Sequence, residues 1–277
     1  MSDHQAAIRT VIDSGKENLL GVLVDGVDYD AAVNRIAEAA DERRAYGVSA
    51  LAVHGVMTGV LNPEQRYRLN ALDLVTPDGQ PVRWGLNRLH GTGIPDRVYG
   101  PQLMLVACEL AAERGYPVYL YGSRQPVLER LVRRLRLLVP GIEIAGAERS
   151  KFRAVSSEEK LEIVERIVSS GARITFVGLG CPRQEIFAYE YRHALGMPVI
   201  GVGAAFDYHA GIVKEPSEAI QRLGLQWAHR LAQDPWRLWR RYLVLNPAYV
   251  ALLLLQLSGA WRPEPSGTPP ERELGYA

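Results

Sequence analysis

The stretch Gly178-Leu-Gly-Cys-Pro-Arg-Gln-Glu185 follows the apolar run Ile174-Thr-Phe-Val177 and leads into a helical pattern. Strand, glycine turn and helix start in that order form a pocket for an anion. Gly178 and Gly180 let the backbone approach a ligand, Pro182 suits a first helical turn, and the N–H groups of a helix start favour phosphate. A purely structural turn would account for the glycines and the proline, but not for Arg183, Gln184 and Glu185 in series. The motif points to a nucleotide or a sugar phosphate.

Four further segments carry chemistry-bearing residues. Thr76-Pro-Asp-Gly79 ends a strand pattern, so Asp78 either accepts a proton from an attacking hydroxyl or satisfies its own tight turn. In Ile94-Pro-Asp-Arg-Val-Tyr-Gly100, Arg97 either grips a phosphate with its two-pronged guanidinium or is a solvated loop arginine. Gly201-Val-Gly-Ala-Ala-Phe-Asp207 again follows an apolar run and places Gly203 in a turn, with Asp207 suited to a ribose, a base or a turn cap. Phe206 stands where a dinucleotide fingerprint needs its third glycine, which disfavours a nicotinamide oxidoreductase. Gly122-Ser-Arg-Gln125 is a shorter turn of the same kind. His209 reads as a structural histidine, because no cysteine or carboxylate stands at metal-ligand spacing from it.

These turns need a scaffold. Strand patterns at Leu19–Val24, 48–53, 72–76, 117–121, 142–145, 173–177 and 198–202 alternate with helical patterns, among them one reaching about Leu69 and others over 101–114, 126–138, 157–169 and 182–195. The alternation implies an α/β fold, a Rossmann-like, mostly parallel sheet flanked by helices, with its ligand crevice at the carboxyl ends of the strands. Asp28-Tyr-Asp30 superficially copies a metal-binding Asp-x-Asp, but both acids open a helical pattern and read as caps. The expected organisation is a polar lead over 1–18, a catalytic α/β domain over 19–220, a helical appendage over 221–261 and a disordered tail over 262–277.

The appendage interleaves Trp227, Trp236, Trp239 and Tyr242 with Arg230, Arg237, Arg240 and Arg241 before the run Ala248–Leu255. Helical spacing from Asp234-Pro235 places Arg237, Arg240 and Arg241 on neighbouring parts of one face. Arginines and tryptophans together also suit nucleic acid, but 32 basic against 31 acidic residues, a net charge of +1, lack the basicity such binding needs. An interfacial helix beside a phosphorylated lipid accounts for both the arginines and the leucines, and the apolar run falls short of the ~20 residues a spanning helix requires. Hydrophobic residues at 47% supply a core, two distant cysteines suggest neither a disulfide framework nor zinc, and no basic-then-apolar leader opens the chain. A cytoplasmic location follows.

Taken in order, the segments 76–79, 96–100, 178–185 and 201–207, with Leu225-Gln-Trp227 and Arg237-Leu-Trp-Arg-Arg-Tyr-Leu243, resemble the WecG/TagA/CpsF family of bacterial glycosyltransferases over about residues 19–245. The resemblance implies an inverting, metal-independent transfer of a sugar from a UDP-sugar to a polyprenyl-diphosphate-linked saccharide at the inner face of the cell membrane. Its products are cell-wall polymers, surface antigens or exopolysaccharides. It implies Asp78 as catalytic base, Arg97 near the acceptor phosphate, Gln184 and Asp207 as contacts of the donor nucleotide, and Arg230, Arg237 and Arg240 or Arg241 closing over the pyrophosphate. No cofactor is implied, and a homo-oligomer is compatible.

Three departures accompany the resemblance. The usual Thr-x-Asn is replaced within Ser49-Ala-Leu-Ala-Val-His-Gly55, so His54 is the candidate for a contact there, first of all with the acceptor. Lys214-Glu-Pro216 and Gln226-Trp227 replace Arg-Ala-Pro and Glu-Trp at the hinge to the appendage. A non-catalytic subunit that binds a UDP-sugar or a lipid carrier is the rival reading.

Overall fold

The computed structural model describes residues 11–214 and 226–277. Near the start of the chain, β1 (Asp13–Leu19) and β2 (Val22–Val27) form an antiparallel hairpin. The run Leu19–Val24, read from sequence as one strand, is therefore two strand ends about a turn, with Leu20 at φ +59°. Its apolar character comes from burial on both sides of that turn. The first strand also begins inside the segment expected to be a polar lead. Asp25 of β2 accepts the Val75 N–H at 2.7 Å, which hooks the hairpin onto the edge of the main sheet.

The main sheet contains β3 (Tyr46–Leu51), β4 (Leu74–Pro77), β5 (Val118–Gly122), β6 (Ile144–Glu148), β7 (Ile174–Gly178) and β8 (Pro198–Gly201). All six are parallel, in the order β4-β3-β8-β7-β5-β6. β3 is followed in the chain by its outer neighbour β4, whereas β8 arrives from β7 on the other side. The sheet's two halves therefore meet between β3 and β8, where an open α/β sheet parts to admit a ligand.

The helices of the body are α1 (Tyr29–Asp41), α2 (Val53–Leu61), α3 (Pro63–Asn70), α4 (Gln80–His90), α5 (Gly100–Arg114), α6 (Gln125–Leu138), α7 (Ser157–Ser169), α8 (Arg183–Leu195) and the short α9 (Ala205–His209). Local chemistry sets their ends. Asp28 caps α1 by accepting the Ala31 N–H at 2.8 Å, so the Asp-x-Asp pair opens a helix. Ser156 and Glu159 form a reciprocal capping box on α7. The single helix expected up to Leu69 breaks at Asn62, because Pro63 has no N–H to continue the ladder and Asn62 instead caps α3 through Gln65. One core packs α1, α5, α6 and α9 against one sheet face; the other packs α2, α3, α4, α7 and α8.

The appendage comprises α10 (Gln226–Gln233), α11 (Pro235–Trp239), a π-helical turn (Arg240–Val244) and α12 (Leu245–Leu257). α12 lies against α2 and α4, and its fully buried Tyr249 donates a hydrogen bond to the Pro81 carbonyl at 2.9 Å. Beyond it, the tail expected to be disordered runs as a strap over the second helical layer. Its backbone carbonyls at Pro263, Pro265 and Ser266 accept from Asn18, Asn70 and Arg66, and Glu190 accepts the N–H groups of Leu274 and Gly275. Composition gave no sign of order because the strap is held by polar groups of the body rather than by its own apolar residues.

Candidate active site

Asp78 follows the last residue of β4, and its N–H donates to Leu51 at the end of β3. Its Oδ2 faces the start of α5, 3.4 Å from the Gly100 N–H. The loop that delivers Gly100 is pinned at each residue. Asp96 Oδ1 accepts from Gln80 Nε2 and from the Arg97 N–H, Val98 N–H donates to Pro77, and Tyr99 N–H donates to the Tyr29 hydroxyl. Arg97 is thereby buried against Asp78, its guanidinium 3.5 Å from the Asp78 carbonyl and stacked 4.2 Å over the Tyr99 ring. Gln80 and Tyr29, which help hold this corner, were not singled out in the sequence, and Asp96 was read only as part of the 96–100 segment.

The appendage adds cations. The charges of Arg97, Arg230 and Arg241 all act on Asp78 and favour its ionised form, but burial outweighs them and raises its pKa above the ordinary carboxylate range. Arg230 on α10 sits among Tyr242, Tyr208, Tyr99 and Asp78. The Trp227–Tyr242 ring contact at 6.0 Å joins α10 to the π-helical turn. That turn holds both Arg240 and Arg241. It is closed by the Leu245 N–H on the Arg240 carbonyl, a five-residue step that departs from α-helical phase. Arg240 is exposed, whereas Arg241 faces His54, Cys181 and Asp78. Of the neighbouring arginines read from helical spacing, Arg241 is thus the more buried. The Arg237 side chain and residues 221–225 lie outside the described residues.

His54, in the first turn of α2, is half-buried, and its Nδ1 has no hydrogen-bond partner among the described residues. Burial, then the Arg241 charge, lowers its pKa to about 4, so near neutral pH it is an uncharged imidazole. Ala50 and Ala52 line the strand end beside it. The Ala50 methyl and the Val202 carbonyl stand against Gly100, and Ala52 stands against Gly79.

The glycine turns form the adjoining half. Gly178 ends β7 where any Cβ would run into the Phe206 ring, so the residue that broke the dinucleotide fingerprint is the one that packs this turn. Gly180 takes φ +77° and Gly203 φ +55°, a region open to glycine. Between them lies Gln184, 4% exposed. Its Oε1 accepts the Gly180 N–H at 3.2 Å and its Nε2 donates to Glu185 Oε1 at 2.9 Å. The Gly180 N–H, read from sequence as part of an anion pocket, is thus already engaged inside the protein. Arg183 is half-buried at the head of α8, and Asp207 is half-buried on α9, one turn past Gly203. His209 is buried, its Nε2 2.8 Å from the Pro101 carbonyl. Sequence reading underrated Glu185, which is 1% exposed and receives Ser49 Oγ at 3.1 Å as well as Gln184. In the sequence it stood only as the last of the polar series Arg183, Gln184, Glu185, directly before the apolar Ile186-Phe-Ala188. Among the described residues, no group of three or more His, Cys, Asp or Glu side chains is placed to hold a metal ion.

A half-buried acid under three arginine charges, beside glycine turns at a sheet's switch point, suits transfer of a group from a phosphorylated carrier. Comparison with known proteins agrees. The chain is 31% identical over 207 residues, 74% of its length and 77% of the relative's, to the N-acetylglucosaminyldiphosphoundecaprenol N-acetyl-beta-D-mannosaminyltransferase of Bacillus spizizenii. It is 28% identical over 211 residues, 72% of its length and 79% of the relative's, to the protein of the same name from Bacillus subtilis. The sequence profile of one family spans residues 17–263, and by that match the chain belongs to the glycosyl transferase WecG/TagA/CpsF family.

Proposed function

We propose that this glycosyltransferase moves a sugar, with inversion and without a metal ion, from a UDP-sugar to a polyprenyl-diphosphate-linked saccharide at the inner face of the cell membrane. The observation that carries the reading is the buried Arg97 set against Asp78 at the end of β4, with the charges of Arg230 and Arg241 also acting on that carboxyl. The UDP-sugar lies across the ends of β7 and β8, its nucleotide toward Asp207 and the Gly178, Gly180 and Gly203 turns that Gln184 underpins. Asp78 takes the proton of the acceptor hydroxyl, whose oxygen attacks the anomeric carbon while the bond to UDP breaks on the opposite face. Arg230 and Arg241, with Arg237 and Arg240 on the same segment and Arg183 at the head of α8, supply cations for the diphosphate as its charge grows. Arg97 and His54 serve the acceptor side.

The relatives' names carry a β-mannosaminyl product on a diphosphoundecaprenol-linked N-acetylglucosamine. One displacement on an α-configured donor gives such a β linkage. UDP-N-acetylmannosamine and lipid-linked N-acetylglucosamine are therefore the first pair to try, within a panel of UDP-sugars. Membrane contact is supported by the exposed Trp236, Leu243, Val250, Leu254 and Leu255 on an appendage in which no described helix is long and apolar enough to cross a bilayer.

Purified chain with both substrates is expected to release UDP equally with and without EDTA and to give the inverted anomer by NMR. Loss of turnover in EDTA with rescue by magnesium or manganese would overturn the metal-free reading. UDP-sugar binding without UDP release from any donor would favour a non-catalytic subunit.

A further inference from the structure

We infer that Glu185 is a positioning residue for the nucleotide side of the site, acting through Gln184. The inference rests on the UDP-sugar reading above and names a residue that reading does not use. Glu185 lies at the junction of β3 and β8, almost fully buried, and forms no ion pair within 4 Å among the described residues. Burying an acid without a cation is costly, and an apolar side chain of similar volume would serve packing better. What the acid contributes is a pure acceptor. Its Oε1 receives Gln184 Nε2 at 2.9 Å and Ser49 Oγ at 3.1 Å.

That acceptor decides which way the Gln184 amide faces. In the observed orientation Oε1 takes the Gly180 N–H and Nε2 reaches Glu185. Turned by 180°, the amide would set N–H against the Gly180 N–H and oxygen against the Glu185 oxygen, two mismatches at once. The same Gln184 oxygen lies 3.0 Å from where a Cβ on Gly203 would stand, and the side-chain stem lies 3.2 Å from the corresponding point on Gly201. One amide therefore supports both glycine turns, and Glu185 holds the amide. Ser49 extends the chain of contacts to β3, whose next residue, Ala50, borders Gly100 beside Asp78. Burial also pushes the Glu185 carboxyl pKa upward.

The test is the kinetics and UDP affinity of Glu185→Leu and Glu185→Gln. Glu185→Leu should raise KM for the UDP-sugar and the UDP dissociation constant by about tenfold or more, the scale of one lost buried hydrogen bond, with KM for the lipid acceptor unchanged. Glu185→Gln, which can keep a carbonyl oxygen at the Oε1 position, should restore both to within a few-fold. A merely structural acid would lower the thermal midpoint without splitting the two KM values. If Glu185→Leu does not fold, Glu185→Asp, which withdraws the carboxyl by one methylene, must show the same split. Parental UDP affinity in the Leu or Asp variant, or equal damage in Leu and Gln, overturns the inference. A parent chain that binds no UDP overturns instead the reading beneath it.

Discussion

Asp78 and Gly100 meet at a spacing that a side chain at position 100 would crowd: Asp78 Oδ2 is 3.3 Å from the point where a Cβ on Gly100 would stand. The Ala50 methyl is equally close to that point and the Val202 carbonyl is at 3.4 Å. Gly100 opens α5 with ordinary backbone angles, so alanine meets no conformational strain there and gains helix propensity. Gly100→Ala is therefore expected to leave the thermal midpoint within a few degrees of the parent. The new methyl displaces the carboxylate by a few tenths of an ångström, and kcat should fall by about tenfold because a base must stand within hydrogen-bond reach of its proton. Steady-state kinetics beside a melting curve checks both halves.

The raised pKa of Asp78 has a sign in a pH profile. A general base works only when ionised, so activity should fall as pH drops through the Asp78 value, on a limb displaced upward from that of an ordinary carboxylate. Asp78→Asn removes the proton acceptor while keeping the side chain's shape. It should cut turnover by about 10²–10⁴-fold with UDP affinity nearly intact. Full activity in that variant would dismiss Asp78 as the base.

His54 gives the opposite expectation. With its pKa lowered to about 4 by burial and Arg241, it stays neutral from pH 5 to 8, and replacing it should not remove a limb from the activity profile there. Its effect belongs to stability. Between the unfolded value near 6.5 and the folded value near 4 the unfolded chain binds the extra proton, so His54 lowers folding stability as pH falls across that window. His54→Asn should flatten this part of the decline, measured as the midpoint of urea unfolding at pH 7 and pH 5. An equal decline in both proteins would show that His54 is protonated in the folded state.

The parallel strands and the three glycine turns were legible because apolar runs followed by glycine leave few other readings. α4 was not read as a helix. Pro81 and Gly85 weaken its pattern, yet Gly85 is what makes room for the Tyr249 hydroxyl and a Leu19 methyl, at 2.8 and 2.9 Å from its absent Cβ. Which of the adjacent Arg240 and Arg241 turns inward was hidden for a different reason, since helical spacing alone does not say which side of the appendage meets the body. Glu185 looked like one polar residue in a series because sequence does not display burial.

The strap offers a stability test separate from catalysis. Glu190, largely buried, accepts the Leu274 and Gly275 N–H groups at 2.7 and 2.9 Å, and Lys160 pairs with Glu273 at 2.6 Å. Deleting residues 272–277 leaves the Glu190 carboxylate without those donors, at a cost of about 1–3 kcal/mol. The thermal midpoint should drop by several degrees while UDP affinity holds, because the groups these residues bond, Glu190, Lys160, Ser150, Lys151 and Val155, are not among those assigned to the substrates. An unchanged midpoint would mean that the strap contributes nothing to the fold.

The exposed leucines of α12 separate membrane contact from catalysis. Leu254 is 60% and Leu255 46% exposed, so replacing both with glutamate breaks no core packing and should leave the melting curve unchanged. On a membrane surface the same change withdraws two apolar side chains from the acyl boundary and sets two anions against acidic headgroups. Sedimentation with phosphatidylglycerol vesicles should weaken by at least about tenfold. Transfer to a water-soluble acceptor analogue with a shortened lipid should persist, while transfer to the full-length polyprenyl acceptor in vesicles should fall. If vesicle binding is unaffected, the apolar face of α12 is not what meets the bilayer.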